Sequence, residues 1–320
     1  MERTLAAQAL LAGIAERGAD AVGYANRSGE GPVEIHKQRS GASALLEQVV
    51  LPVDVTETLV HVRDYTKGHP RIEANNHPIR HGAVVGVHNG IIFNDDELME
   101  THGFERAEPR MTVDSEAIFA LAEASDGSAK ALQQLRGSMA TAWLDERRPG
   151  TVFLARGVGR PLWIGAGGAE IFYASTKAAL EVAERFLPLK LRKREVAEGT
   201  LVVLAEGREL RRERFRPDRN FEERTLPAVR APHEGVSCLQ RLRRSVGGLR
   251  DGEDRLGVDG HLRLGALEAV LEHQLVVVED NPVVDADDGA VADRVVVRLD
   301  PRVTLRVVTD MKEGLRRVQW

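Results

Sequence analysis

The spacing of apolar positions changes several times along the first 215 residues, and each change predicts an element. Residues 5–17 place Leu10, Leu11 and Ile14 on one helical face and stop at Gly18, a candidate C-cap. Short β-type runs follow at 21–25 (AVGYA) and 33–38 (VEIHKQ), then a helical stretch at 41–49 and the strand ETLVHV at 57–62. From Arg63 to Arg80 no apolar period is present, and Gly, Pro and Asn recur, which predicts a long functional loop. AVVGVHN at 83–89 reads as a strand ending at Asn89-Gly90. Helices are predicted at 95–102, 114–124 and 128–136. Strands are predicted at 139–145, 151–156, 161–166 and 170–175, followed by a helix at 176–186 and β pieces at 189–196, 200–205 and 209–215. Two helix-rich stretches alternating with two strand-rich ones predict an α/β (α+β) sandwich, with two stacked sheets and helices outside.

The texture changes at 216–235, a polar stretch with three prolines that reads as a linker. Beyond it, helices near 236–246 and 261–274 and strands near 275–279, 294–299 and 303–309 predict a small α+β extension over 236–320. No internal repeat is visible.

Composition narrows the class. The chain has 320 residues, 42% apolar and 29% charged, with a formal net charge of -5, which is typical of a soluble globular protein. No block of like charge points to nucleic acid or a membrane surface, and no apolar run is long enough to span a bilayer. LAAQALLAGIA near the start lacks a positively charged leader and reads as a helix rather than a signal peptide. A single cysteine, Cys238, forms no intrachain disulfide and fits a cytoplasmic location.

Several residues carry candidate chemistry. Arg63, just past a strand, can grip a carboxylate with two parallel hydrogen bonds or serve as a surface ion-pair partner. Asn89-Gly90 can converge on an oxyanion or form a type I′ hairpin turn. Asp114 can cap the helix that follows or hold an ammonium group. Five of ten histidines fall between His61 and His88, but their spacing matches no metal motif, and no metal or cofactor is expected. Cys238 has no histidine near it and reads as a structural thiol. GVGRP at 157–161 and GAGG at 165–168 lack the ending of a phosphate loop, and DADDG at 285–289 does not continue into a calcium loop.

Taken in order, the pieces resemble the class II glutamine amidotransferase domain, which has an N-terminal-nucleophile hydrolase fold. The matching segments are RGADAVGYA (17–25), HVRDYTKG (61–68), NNHP (75–78), VVGVHNGIIFND (84–95) and TVDSEAI (112–118), followed by GSMATAWLD and PLWIGAGGAEIFYAS. The resemblance spans residues 1–215 and implies a four-layer αββα sandwich. It implies that Arg63 and Thr66 bind the α-carboxylate of L-glutamine and that Asp114 binds its α-ammonium. Asn89 and Gly90 would stabilise the oxyanion formed at the side-chain amide. The family couples the ammonia released to a synthase, so the acceptor is expected to be a separate protein or one docked by the tail beyond residue 235.

The chain departs from the pattern at Asp64, Tyr65 and Lys67. In the family, a cysteine on a central strand about ten residues before the first helix is the nucleophile, with its own amine as base. This chain opens at Met1-Glu2-Arg3, beside that helix, so it is expected to be inactive as written and to have its true start upstream. The alternative expectation is a nucleophile-free module that binds glutamine without turnover.

Overall fold

A computed structural model describes residues 3–220 and 229–250. The helix and strands expected at 261–309 lie outside the described residues.

Three sheets form, all antiparallel. The first holds β1 (Ala21–Ser28), β2 (Glu34–Gln38) and β3 (Val55–Arg63), in the order β2-β1-β3. The second is made of β4 (Ile79–His81), β5 (Val84–Ile92), β6 (Gly137–Asp145), β7 (Thr151–Arg156), β11 (Thr200–Ala205) and β12 (Arg208–Arg214), in the order β12-β11-β7-β6-β5-β4. The third contains β8 (Trp163–Gly167), β9 (Glu170–Ala174) and β10 (Arg192–Glu195), in the order β10-β8-β9.

Side-chain alternation along the strands builds the layers. In β6 every residue is buried: Ala140, Ala142 and Leu144 face one way, Met139 and Trp143 the other. The first set joins Val85, Val87, Leu154, Val202 and Leu204 and meets Ala25, Leu59 and Ile164 of the smaller sheets. The second set joins Phe153, Leu201 and Val203 and meets the helices α3 (Asp95–His102) and α4 (Glu116–Ala124) through Leu98, Met99, Ile118 and Phe119. On the far side α1 (Arg3–Ile14) packs on α5 (Lys177–Phe186) and on β3. The result is the expected four-layer αββα sandwich.

The helix expected at 128–136 is only a short 3-10 turn, Ala131–Gln134, whose buried Leu132 and Leu135 are spaced to suit that tighter winding. Gly18 is not a left-handed cap, since its φ is -178°. It is required for close approach instead, because a Cβ there would lie 2.5 Å from the backbone of Arg63. The helix expected near 236–246 is longer, α6 (Pro232–Arg250), and it packs on α1 and on the short helix α2 (Ala42–Leu45). Glu16 O accepts the N–H groups of Arg230 and Ala231, and the Glu234 carboxylate accepts Ser43 N–H at 2.7 Å. Cys238, Leu239 and Leu242 are buried in this contact.

The sheets β2-β1-β3 and β10-β8-β9 present β3 and β9, each an edge strand among the described residues, to the same cavity, about 530 Å³ in volume. Leu10 and Ile14 of α1 line one wall, and Val87, Ala140 and Ala142 of the larger sheet line the opposite one. The Tyr173 hydroxyl crosses from β9 and donates to Thr58 O of β3 at 2.9 Å. The cavity is therefore a slot walled on four sides.

Candidate functional site

Arg63, Asn89, Gly90, Asp114 and Thr66 all line this cavity, so the fold brings every site residue expected from the sequence around one space.

Arg63 ends β3 and is buried, with 4% of its surface exposed. Its guanidinium donates to Asn76 Oδ1 at 2.8 Å, Lys67 O at 2.7 Å and Gly68 O at 2.6 Å. The loop folds around this side chain. A guanidinium has more N–H donors than these three bonds use, so donors remain for a ligand carboxylate. Burial lowers its pKa to about 10, while Asp114 and Asp20 act in the opposite direction, so it stays charged at neutral pH.

The three departures after Arg63 have partners of their own. Asp64 pairs with Arg230 at 3.2 Å, just before α6. Tyr65 N–H donates to Asp20 Oδ2 at 2.9 Å, and its ring lies against His69. Lys67 bridges Asp95 and Asp96 at 2.7 Å each. Arg106 continues the chain of charges from Asp95 and Asp96 to Glu116, which is fully buried and also accepts from Ala107 N–H at 2.7 Å. Burial alone would raise the Glu116 pKa, but bonds from His81, Ala107 and Arg106 together hold it below the usual range. Lys67 thus pins the loop to α3 and, through Arg106, to α4. Lys67→Met leaves the buried Asp95 with one weaker partner, and is expected to reduce the unfolding free energy by about 1–3 kcal/mol in urea melts. Most of that loss should vanish when the substitution is made on an Asp95→Asn background, and an undiminished loss there would rule the latch out.

Asn89 and Gly90 do not end their strand or form a hairpin turn. They lie within β5, opposite Ala140 and Met139 of β6. Gly90 has a φ of 141°, which only glycine adopts without strain, and a Cβ there would sit 2.0 Å from Ser138 O. Arg17 is the residue that sequence reasoning left without a role, although it opens the RGAD segment. Its guanidinium contacts Asn89 Oδ1 at 3.4 Å and Ser175 Oγ. Because a guanidinium only donates, the atom facing it must be Oδ1, which turns Nδ2 the other way. Asn89 Nδ2 is buried and has no hydrogen-bond partner among the described residues. Burial, then the charge of Arg160, lowers the Arg17 pKa to about 10, which leaves it a cation.

Asp114 is not a side-chain cap. The helix α4 starts at Glu116 with Ser115 at its N-cap and no side-chain capping bond. Asp114 Oδ2 accepts Ile92 N–H at 2.7 Å, which ties the end of β5 to α4, and Oδ1 makes no hydrogen bond among the described residues. Thr66 is exposed at the rim. The site therefore offers a fixed cation, a fixed anion and an unpartnered buried amide donor around one cavity.

Cys238 lies outside the cavity lining, and burial, then Glu234, pushes its thiol up to about 12. Among the described residues no group of three or more His, Cys, Asp or Glu is placed to hold a metal ion, and no helix is long and apolar enough to cross a membrane.

Residues 67–182 match the profile of a family described as a glutamine amidotransferase domain. The chain is 35% identical over 198 residues to the glutamine--fructose-6-phosphate aminotransferases [isomerizing] of Salmonella typhi and Escherichia coli K12. That match covers 58% of this chain and 32% of each relative, so the chain spans about a third of their length. The fold is similar to the glutamine phosphoribosylpyrophosphate amidotransferase of B. subtilis in complex with ADP and GMP. The TM-score is 0.53 at 19% identity, covering 67% of this chain and 47% of that one. A structure titled as the allosteric regulatory enzyme of purine biosynthesis aligns with a TM-score of 0.54 at 20% identity, over 66% of this chain and 46% of that chain.

Proposed function

We propose, for a chain that carries a class II glutamine amidotransferase domain, that the cavity binds L-glutamine and that an extended segment in the slot supplies the thiol that attacks its side-chain amide. The observation that carries the reading is Asn89 Nδ2, buried, turned away from Arg17 and without a hydrogen-bond partner among the described residues, on a side chain that lines the same cavity as Arg63 and Asp114.

The roles follow from charge and donor type. Arg63, with Thr66, takes the α-carboxylate, and the open Oδ1 of Asp114 takes the α-ammonium. These two contacts fix the amino-acid end and aim the side-chain amide at β5. Asn89 Nδ2, with the backbone of Gly90, receives the negative oxygen that develops on attack, a contribution of about 3 kcal/mol per donor. The thiolate adds to the amide carbon, its own terminal amine having taken the proton. The tetrahedral intermediate expels ammonia, which leaves with that proton, and water then hydrolyses the thioester to glutamate and free thiol.

The slot supports the source of that thiol. Its two long sides are β3 and β9, each an edge strand among the described residues, and the backbone groups left unpaired there favour an added strand. Arg3, Ala6 and Ala7 of α1 line it, so the first turns of α1 stand beside the slot. The ammonia passes to an acceptor on a separate protein, and the reaction takes place in the cytoplasm.

The test is to express the chain with an upstream segment that begins with cysteine after processing, and to assay glutamate released from glutamine. Release is expected, and Cys→Ala at the new first residue should abolish it. If glutamine binds by calorimetry but no glutamate appears, the domain is a glutamine-sensing module instead. If glutamine does not bind either, the pocket reading fails.

A further inference from the structure

Of the five histidines between His61 and His88, two are buried and joined through one hydroxyl. His77 Nε2 lies 3.0 Å from Ser115 Oγ, and His88 Nδ1 lies 2.9 Å from the same oxygen. His88 Nε2 lies 3.2 Å from Ser138 O. All three side chains are almost wholly buried.

The far end of this chain determines its polarity. A carbonyl oxygen only accepts, so His88 Nε2 carries a hydrogen. In the neutral form of that ring Nδ1 is an acceptor, and the Ser115 hydroxyl hydrogen points toward it. The remaining lone pairs of Ser115 Oγ face His77 Nε2, which therefore donates. His77 Nδ1 is left as an acceptor, and it is indeed buried without a partner. Every bond is satisfied with both rings neutral. Burial, reinforced by the cations Arg63 and Lys37, holds His77 well below the usual histidine range, in keeping with this assignment.

The sequence neighbours of this network give it a purpose. Ser115 follows Asp114, and His88 precedes Asn89-Gly90. The His88 ring also packs directly against Gly90, because a Cβ at Gly90 would fall 2.8 Å from His88 Nε2. The Asp114–Ile92 bond is one cross-link between β5 and the start of α4, and the Ser115–His88 bond is a second, on the other side of Asn89-Gly90. Two cross-links fix both distance and rotation, whereas one leaves a pivot.

We propose that Ser115 is a positioning residue: its hydroxyl, held between His77 and His88, sets the spacing of Asp114 from Asn89-Gly90 and so pre-organises the pocket for the amino acid. The proposal rests on the glutamine reading above and assigns Ser115 no contact with the substrate. A pocket whose two ends are held at the ligand's length loses less freedom on binding.

The test compares Ser115→Ala and Ser115→Thr by glutamine calorimetry on the chain as it stands, with nitrogen-15 histidine spectra of the unsubstituted protein. Both His77 and His88 should show the neutral Nε2–H tautomer at pH 7. Ser115→Ala should weaken glutamine binding about tenfold, and Ser115→Thr, which keeps an oxygen at the same place, should restore most of it. Nδ1–H tautomers, or unchanged affinity in a folded Ser115→Ala protein, would overturn the proposal. If the unsubstituted protein does not bind glutamine, the pocket reading itself falls, an outcome distinct from a wild-type response that the alanine variant simply shares.

Discussion

Asn89→Ala, in the protein bearing the upstream thiol, should lower kcat for glutamine hydrolysis by about 10²–10³-fold and change KM by no more than a factor of a few. The argument is one of timing. In the proposed pose glutamine is held by Arg63 and Asp114 at its other end, so its binding should not depend on Asn89. The Nδ2 donor has no partner among the described residues, and it gains one only when the amide oxygen becomes anionic. An interaction made mainly in the transition state appears in kcat. Asn89→Asp should be as slow, since a carboxylate oxygen replaces the donor and repels the oxyanion. The fold should tolerate both changes, because Arg17 keeps its contact with Ser175. Steady-state kinetics decide the matter: a variant with wild-type kcat would remove Asn89 from the oxyanion site.

Arg63→Ala should have the other large effect, on binding and on stability together. Its guanidinium satisfies Asn76 Oδ1 and the carbonyls of Lys67 and Gly68, in a buried setting. Removing it leaves those acceptors unpaired, and a loss of about 3–5 kcal/mol in unfolding free energy is expected. Glutamine binding should become undetectable by calorimetry, because the carboxylate loses its cation and the loop loses its scaffold. Arg63→Lys should not rescue either property, since a single ammonium cannot span three acceptors and a ligand. Wild-type glutamine affinity in a folded Arg63→Ala protein would show that the carboxylate sits elsewhere.

The individual site residues were legible as residue types but not as geometry. Arg63, Asn89, Gly90 and Asp114 stand out because each follows or precedes a strongly patterned strand or helix. What each one does locally was read less well. Asn89-Gly90 resembles a hairpin turn in isolation, yet it continues a strand, because Met139 and Ala140, far along the chain, pair with it. Asp114 resembles a helix cap, yet its carboxylate reaches across to Ile92 N–H. Lys67 looks like a misfit in its loop, and only the approach of Asp95 and Asp96 gives it a place. Arg17 carries no signal of its own beyond its motif, since its contact is with an amide on a strand far along the chain.

The alternation of apolar residues is a local property, set by the two-residue repeat of a strand and the 3.6-residue turn of a helix. It therefore specifies the layers, and with them which residues face the space between the sheets, without any knowledge of partners. The order of strands in a sheet is not local. The slot between β3 and β9, the direction of the Asn89 amide and the placing of Ser115 between two histidines all depend on which distant segments meet. Hydrogen-bond direction depends on the last acceptor in a chain of contacts, here the carbonyl of Ser138, and that acceptor is brought into place only when β6 pairs with β5.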